Sequence, residues 1–343
     1  MQRQSTRYSL TGQRRWTDRT EDMPSKLCGG RGLRWLRRGG LRVLCYHGVC
    51  ADEVGEAPWL RSHFVTATRF AQQMEMLVRR GPVVFLPEVM DRPTSESVMT
   101  HADSFAITFD DVAACSFVHA RPVLERLGIR ASFFVATGHV TSGQLFHSDV
   151  VHLLRCRPEL VDAGVRASMR SLSTDGSAYK RMTLAEVRAE MEAVESTVRR
   201  RLDAPVIDTL RPLNWEEVEQ LSAQGHEIGG HTVDHVILGR QSPEVRHQQI
   251  AASVHQLERR LGQPVRGFAY PNGGPGDFGQ PDVEVLSELG VQYALTTRPG
   301  FANGGDAFSL PRICVGLGHT PRRFALEMTG LLDRRRQKQY GWR

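Results

Sequence analysis

Apolar and polar positions alternate along the middle of the chain in blocks of strand and helix character. Residues 41–47 form a short apolar run closed by Gly48, which predicts a first core strand with His47 near its C-terminal end. After Thr66, Phe70, Met74, Leu77 and Val78 recur at helical spacing, and Gly81 closes that helix. Residues 83–86 predict a second strand, and the polar, turn-rich residues 91–103 a loop. Residues 105–109 predict a third strand that delivers Asp110 and Asp111 at its C-terminal end. A helix is expected over 117–127 despite Pro122, with Gly128 as its stop, then a fourth strand over 131–136. Strand and helix alternating at this spacing imply βα units and a parallel sheet or barrel.

Residues 140–212 break that rhythm and read as an insertion. Thr183 with Glu186 forms a capping box, and Leu184, Val187, Met191, Val194, Val198 and Leu202 follow at three- and four-residue steps. The βα rhythm then resumes. A helix opens at Asn214 and Glu217 and ends at Gly225, and a short strand follows at 226–228. Another helix opens at Ser242-Pro243 and ends at Gly262, with Val254, Leu257 and Leu261 facing inward. Strands are expected over 265–270, 291–297 and 310–315, with helices over 283–289 and after Thr320-Pro321. There is no internal repeat.

Composition adds a constraint at the ends. The chain of 343 residues carries a net charge of +6, yet residues 1–40 hold ten Lys/Arg against three Asp/Glu, and residues 333–343 five against one. The basic character therefore belongs to two tails. Such tails could grip an anionic polymer or membrane, but a solvated, disordered tail is the commoner meaning of this composition, and no nucleic-acid partner is expected. No apolar stretch reaches the roughly eighteen residues of a membrane-spanning helix. Residues 1–40 lack the apolar core of a secretory signal, as does a chain starting at Met23. A cytoplasmic location is expected, with cell-envelope association possible. The six cysteines are scattered without a C-x-x-C, which argues against a disulfide scaffold.

The candidate chemistry lies in two stretches. His231 and His235 stand four residues apart, a spacing that places both rings on one face of a helical turn. Asp110 and Asp111 end an apolar run. Two imidazoles and one carboxylate make a three-ligand site with room for water, the open arrangement of catalytic zinc sites. The second carboxylate is then free to act as a base.

The motifs Thr108-Phe109-Asp110-Asp111, His231-Thr232-Val233-Asp234-His235 and Phe268-Ala269-Tyr270-Pro271-Asn272-Gly273 occur together in one order. That order and spacing resemble the polysaccharide deacetylase family, the carbohydrate esterases that share the NodB homology domain. The stretches Cys45-Tyr46-His47-Gly48-Val49 and Ala131-Ser132-Phe133-Phe134-Val135 are similar too, so the resemblance covers roughly residues 41–330. It implies a deformed (β/α)7 barrel with the site at the strands' C-terminal ends and a helical insertion at about 140–212. It further implies a divalent metal, usually zinc and sometimes cobalt, manganese or nickel, on Asp111, His231 and His235, with Asp110 as general base. The expected reaction is hydrolysis of an N-acetyl or O-acetyl group on a glycan, an exopolysaccharide or cell-envelope precursor being the expected substrate.

Several positions depart from the family pattern. Val112 replaces the usual Gly, and Ala269 and Asn272 stand where an Arg and a Tyr are usual. Arg312 is the candidate to take over the missing Arg, and Tyr270 and Asn272 are candidates for holding substrate or oxyanion. His319 and His47 compete as general acid. These departures leave two alternatives open: a non-catalytic glycan-binding relative, and an amidohydrolase acting on a small non-peptide amide.

Overall fold

The computed structural model describes residues 39–91, 103–172, 178–339 and 341–342. The predicted basic tail up to residue 38, Met23 and most of the predicted loop 91–103 lie outside the described residues.

Nine strands are described: β1 (Gly40–Tyr46), β2 (Gly48–Cys50), β3 (Phe64–Thr66), β4 (Asp103–Asp110), β5 (Ser132–Val135), β6 (Glu227–Gly230), β7 (Gly267–Ala269), β8 (Tyr293–Leu295) and β9 (Ile313–Cys314). Seven form one sheet in the order β8-β7-β6-β5-β4-β1-β9, and β2 and β3 pair separately. Every pairing is parallel. The sheet curls toward closure, because Leu310, just before β9, bridges Leu295 of β8. This is the deformed (β/α)7 barrel expected above.

Alternation along each strand divides the core into two shells. Leu44, Tyr46, Ile107, Phe109, Phe133 and Ile313 point outward into the layer under the helices. Leu41, Val43, Ala106, Phe134, Tyr293 and Leu295 fill the barrel interior. Asp110, two residues on from Thr108, and Arg312, next to outward-facing Ile313, therefore belong to the interior. Register then lines up the strand ends. Tyr46 pairs with Phe109, Asp110 with Phe134, and Val135 with Gly230. His47, Asp110 and His231 accordingly emerge at one edge of the sheet.

The helix after Thr66 spans Ala67–Arg80, with the Thr66 side chain accepting the Arg69 N–H and Phe70, Met74 and Leu77 buried. The insertion helix Leu184–Arg201 begins at the predicted Thr183/Glu186 capping box. Around it the insertion builds its own apolar cluster, including Leu153, Met191, Val194, Val198 and Leu210, which packs on Leu60 and Phe64 of the barrel.

Three expectations are corrected. Residues 83–86 are not a strand: Val83 makes a single bridge to Phe105, and Leu86–Met90 is a short helix with Pro87 in its first turn. An apolar run between two prolines cannot sustain a ladder, because proline donates no N–H. The helix over 117–127 is two helices, Ala114–His119 and Arg121–Leu127, because Pro122 cannot continue the first and starts the second instead. The basic C-terminal residues form a helix, Asp333–Gln339, anchored by its buried Asp333 and Arg336. Asp333 accepts from Arg42 Nη2 at 3.0 Å, and Arg42 is wholly buried at the base of β1.

Candidate active site

The strand ends deliver their functional residues through strained turns. Among the described residues, the non-glycine residues with positive φ are Asp111, Val112, Thr232, His235 and Asn272. All five follow β4, β6 or β7 at one edge of the barrel. A left-handed conformation costs a non-glycine residue on the order of 1–3 kcal/mol, and such residues cluster where function demands them. Val112, β-branched and at φ 48°, occupies the position where glycine would relieve the strain.

The histidine pair does not lie on a helix. Residues 231–235 form an irregular turn with Thr232 at φ 64° and His235 at φ 53°. This turn, not the i, i+4 face expected from spacing, brings both rings to one point. Its backbone is held by Gln249, whose Oε1 accepts the N–H groups of Val233 and Asp234 at 3.1 and 2.9 Å and whose Nε2 donates to Asp234 Oδ2 at 2.6 Å. Gly138 donates its N–H to Val233 O at 2.8 Å from the other side. A Cβ on Gly138 would come within 2.8 Å of that same oxygen.

Asp111, His231 and His235 converge. Asp111 Oδ1 lies 3.2 Å from His231 Nε2 and 2.9 Å from His235 Nε2, and the ligating atoms of all three fall within 4.8 Å of one another. His231 Nδ1 stands 2.6 Å from the Ala269 carbonyl, which can only accept. The neutral imidazole then carries its lone pair on Nε2, aimed at a carboxylate. A lone pair facing a buried anion is unfavourable unless a proton or a cation lies between them. Burial alone would raise the Asp111 carboxyl, but His235 and His231 pull it well below the usual carboxylate range. Burial would lower His231, yet Asp111 and Asp110 raise it. The trio is thus a donor set that fits a divalent cation.

Asp110 is paired differently. Arg312, wholly buried, donates Nη1 to Asp110 Oδ1 at 2.7 Å and Nη2 to Oδ2 at 2.5 Å. Its Nε donates to the Thr296 carbonyl at 2.9 Å and Nη1 also to Thr108 Oγ1 at 3.2 Å, which fixes the fork in the barrel interior. Burial favours the neutral acid, but Arg312 and then His231 outweigh it and hold Asp110 below its ordinary value. The arginine sought at position 312 is therefore the partner of the predicted base.

The two acid candidates separate. His47 lines the cavity beside Asp111, with a ring nitrogen within 4.8 Å of an Asp110 oxygen. His319 does not line that cavity. Its Nδ1 accepts the Gly316 N–H at 3.1 Å and its Nε2 faces Arg336 at 3.5 Å and Glu327 at 3.9 Å. Burial, then Arg336 and Arg323, push His319 down to about 3. Tyr270 points away from the cavity, stacked on Phe278 at 3.9 Å with its hydroxyl on the Phe308 carbonyl. Asn272 does line the cavity; its Oδ1 accepts from Lys180 at 2.8 Å and its Nδ2 donates to Asp277.

The cavity has a volume of about 130 Å³. It is walled on one side by the insertion, through Tyr179, Met182, Leu184, Val187 and Met191. Sequence reasoning missed Arg61, His63 and His139 in its lining. Arg61 pairs with Asp149 at 3.1 Å, His63 packs on His47 with ring centroids 4.6 Å apart, and His139 stacks on Phe146, whose edge meets His235. No periodic or motif signal marks these positions. Gln249 had one: a polar residue beside Ile250 and Val254 on the buried side of the helix Pro243–Leu261.

A curled parallel barrel that presents an Asp-His-His trio and an Arg-paired Asp at its strand ends defines a class of α/β protein whose donor set could hold a metal ion. The sequence profile described as Polysaccharide deacetylase matches residues 97–294, more than half of the chain, and the protein belongs to that family. YxkH of Bacillus subtilis (strain 168), which carries a polysaccharide deacetylase name, is 25% identical over 107 residues, 31% of this chain and 37% of the relative. The chain thus matches little more than a third of that curated relative's length. Among solved structures, the deacetylase PplD of Streptococcus pyogenes, in complex with acetate, superposes with a TM-score of 0.56 at 19% identity over 85% of this chain and 99% of that one. IcaB from Ammonifex degensii gives 0.56 at 23% identity over 85% and 98%. The de-N-acetylase from Aggregatibacter actinomycetemcomitans gives 0.55 at 13% over 84% and 100%. These likenesses establish the fold. Among the described residues, no helix is long and apolar enough to cross a membrane.

Proposed function

We propose that the protein is a metal-dependent hydrolase that removes acetyl groups from an amino-sugar-containing glycan. The observation that carries this reading is the Asp111–His231–His235 trio beside an Asp110 that Arg312 grips with both arms. A divalent cation, zinc by the nitrogen-and-oxygen donor set, with cobalt, manganese or nickel as substitutes, would supply Lewis acidity toward the acyl carbonyl and toward water. The remaining work falls to the chain. Asp110, ionised and oriented by Arg312, takes one proton from the attacking water as its oxygen bonds to the acyl carbon. His47 gives a proton to the nitrogen as the C–N bond breaks, so amide and water become acetate and amine. The main-chain N–H of Asn272, which stands at the cavity wall, is the candidate donor to the carbonyl oxygen.

His47 is preferred to His319 as the acid because it borders the cavity and Asp110, whereas His319 is enclosed by Arg336 and Glu327. The pairing of Asp110 with Arg312 favours the catalytic reading over the non-catalytic one, since a buried base with its orienting partner serves no glycan contact. The apolar insertion wall supports a substrate larger than a free amide, an exopolysaccharide or envelope precursor being the class to screen first. The test is acetate release from a panel of N- and O-acetylated oligosaccharides by zinc-loaded protein, with Asp110→Asn as the control. Release by wild type and at least about a hundredfold less by the variant is expected. No release from any glycan, with turnover of a small acylated amide instead, would move the assignment to the small-amide reading.

A further inference from the structure

The helix Asp333–Gln339 is fixed to the body by its inward side chains. Asp333 and Arg336 are buried. Asp333 holds Arg42 at 3.0 Å, Arg336 Nε lies 3.2 Å from Glu327, and Gln337 Nε2 donates to the Pro299 carbonyl at 2.6 Å. The outward side is thereby set. Arg334, Arg335 and Lys338 are exposed at helical steps, and Leu331, in the turn before the helix, continues that spacing at 47% exposure. The carboxylates of Asp333 and Glu327 face inward. The outward side of this segment therefore carries three cations and one leucine, with no acid of its own.

A second basic segment joins the body beside it. By sequence, residues 31–38 hold Arg31, Arg34, Arg37 and Arg38 around Leu33, Trp35 and Leu36. They lead into Gly39, whose carbonyl accepts from Asn303 Nδ2 at 3.1 Å, and three residues on stands Arg42, the partner of Asp333. Segments of like charge repel and do not cover one another, so both call for one negatively charged partner. The interleaved apolar residues decide which. A nucleic acid or an acidic polysaccharide offers charge without an apolar layer beneath it. A bilayer of anionic phospholipid offers both, headgroups for Arg and Lys and an acyl boundary for Leu and Trp. The segment joins β1 at Gly40, about 20 Å along the strand from His47, so a surface held there leaves the cavity open.

We propose that the exposed stripe of Leu331, Arg334, Arg335 and Lys338, together with residues 31–38, docks the protein on an anionic phospholipid membrane. Each Lys or Arg near such a surface contributes about fivefold to partitioning, the equivalent of about 1 kcal/mol. The attraction acts within a Debye length, about 10 Å at 0.1 M salt, so added salt releases the protein. Docking needs neither metal nor glycan turnover, and its outcome is independent of the deacetylase reading.

The test is co-sedimentation of the full chain with vesicles of phosphatidylcholine, alone or with about one-third phosphatidylglycerol. Wild type should pellet with the mixed vesicles and not with phosphatidylcholine, and salt at about 1 M should release most of it. Arg334→Gln/Lys338→Gln removes two exposed cations and should weaken vesicle binding about thirtyfold, with an unchanged urea denaturation curve showing that the variant is folded. Leu331→Ser and Trp35→Ser should each weaken vesicle binding and leave binding to heparin, a polyanion without an apolar layer, unchanged. Wild type that ignores the anionic vesicles, or pellets equally with phosphatidylcholine, overturns the proposal. So does an Arg334→Gln/Lys338→Gln variant that binds as wild type, since residues 31–38 would then act alone. Heparin binding tighter than vesicle binding, with no effect of Leu331→Ser on the vesicles, would make the surface a grip for polyanions in general and overturn the lipid assignment.

Discussion

Replacing Arg312 with methionine removes a buried charge while keeping most of the side-chain length. Four hydrogen bonds go with it: two to Asp110 at 2.7 and 2.5 Å, one to Thr296 O at 2.9 Å and one to Thr108 Oγ1 at 3.2 Å. Hydrogen bonds to charged groups contribute about 1.5–3 kcal/mol each. Removing one member of a buried pair costs about 3–5 kcal/mol, because the other charge stays behind uncompensated. We expect Arg312→Met to destabilise the metal-free protein by about that amount in urea denaturation. Asp110→Asn should cost a similar amount for the mirror-image reason. The double variant leaves neither charge stranded, so its cost should fall short of the sum by about 2 kcal/mol or more. With Arg312 gone, burial is opposed only by the smaller pull of His231 and His47 and shifts Asp110 toward its neutral form, so Arg312→Met should also lower kcat with little change in KM. Arg312→Lys should recover part of both losses, since a point charge cannot grip two oxygens in parallel. Single-variant costs that add within about 0.5 kcal/mol would refute the reasoning, because Arg312 would then not act through Asp110.

Other residues carry predictions of their own. Gln249→Met removes the three hydrogen bonds that hold the 231–235 turn, and metal affinity by equilibrium titration should fall about 10–100-fold. His319 has its folded value lowered to about 3, against about 6.5 unfolded. The unfolded chain therefore takes up a proton that the folded chain refuses, and stability falls as pH drops from about 6.5 toward about 3, by up to about 1.4 kcal/mol per unit. His319→Asn, which keeps an acceptor for the Gly316 N–H, should show a shallower loss over that window in denaturation curves. Asp333→Ala leaves the buried Arg42 guanidinium without its carboxylate and should cost about 3 kcal/mol in denaturation curves, a loss a solvated tail would not produce.

The sequence carried the barrel because its strands are short apolar runs bounded by glycine, each followed by a helical period. It misread residues 83–86 because a fully apolar run looks the same in a strand and at a helix start, and only the flanking Pro82 and Pro87 decide. It found His231 and His235 for a reason the structure replaces. The spacing suggested a helical face, but left-handed residues at 232 and 235 make the convergence. Such turns have no periodicity to read. Arg312 was legible only through an absence, the missing arginine at 269, whereas register and strand parity show why it reaches Asp110. Arg61, His63 and His139 come from three separate segments, and nothing local to any of them marks the cavity they share. The docked helix Asp333–Gln339 was hidden by its charge, since its polar residues bury themselves against Arg42 and Glu327 and not in an apolar core.

If the proposed chemistry is right, Asp111, His231 and His235 together hold one divalent ion. Elemental analysis of the purified chain in thiol-free buffer, on wild type and His235→Ala, tests it without any choice of substrate. Close to one zinc, cobalt, manganese or nickel ion per wild-type chain is expected, lost when His235 is replaced. A chain that stays metal-free after incubation with each of these ions, or that holds its metal equally well without His235, would contradict it.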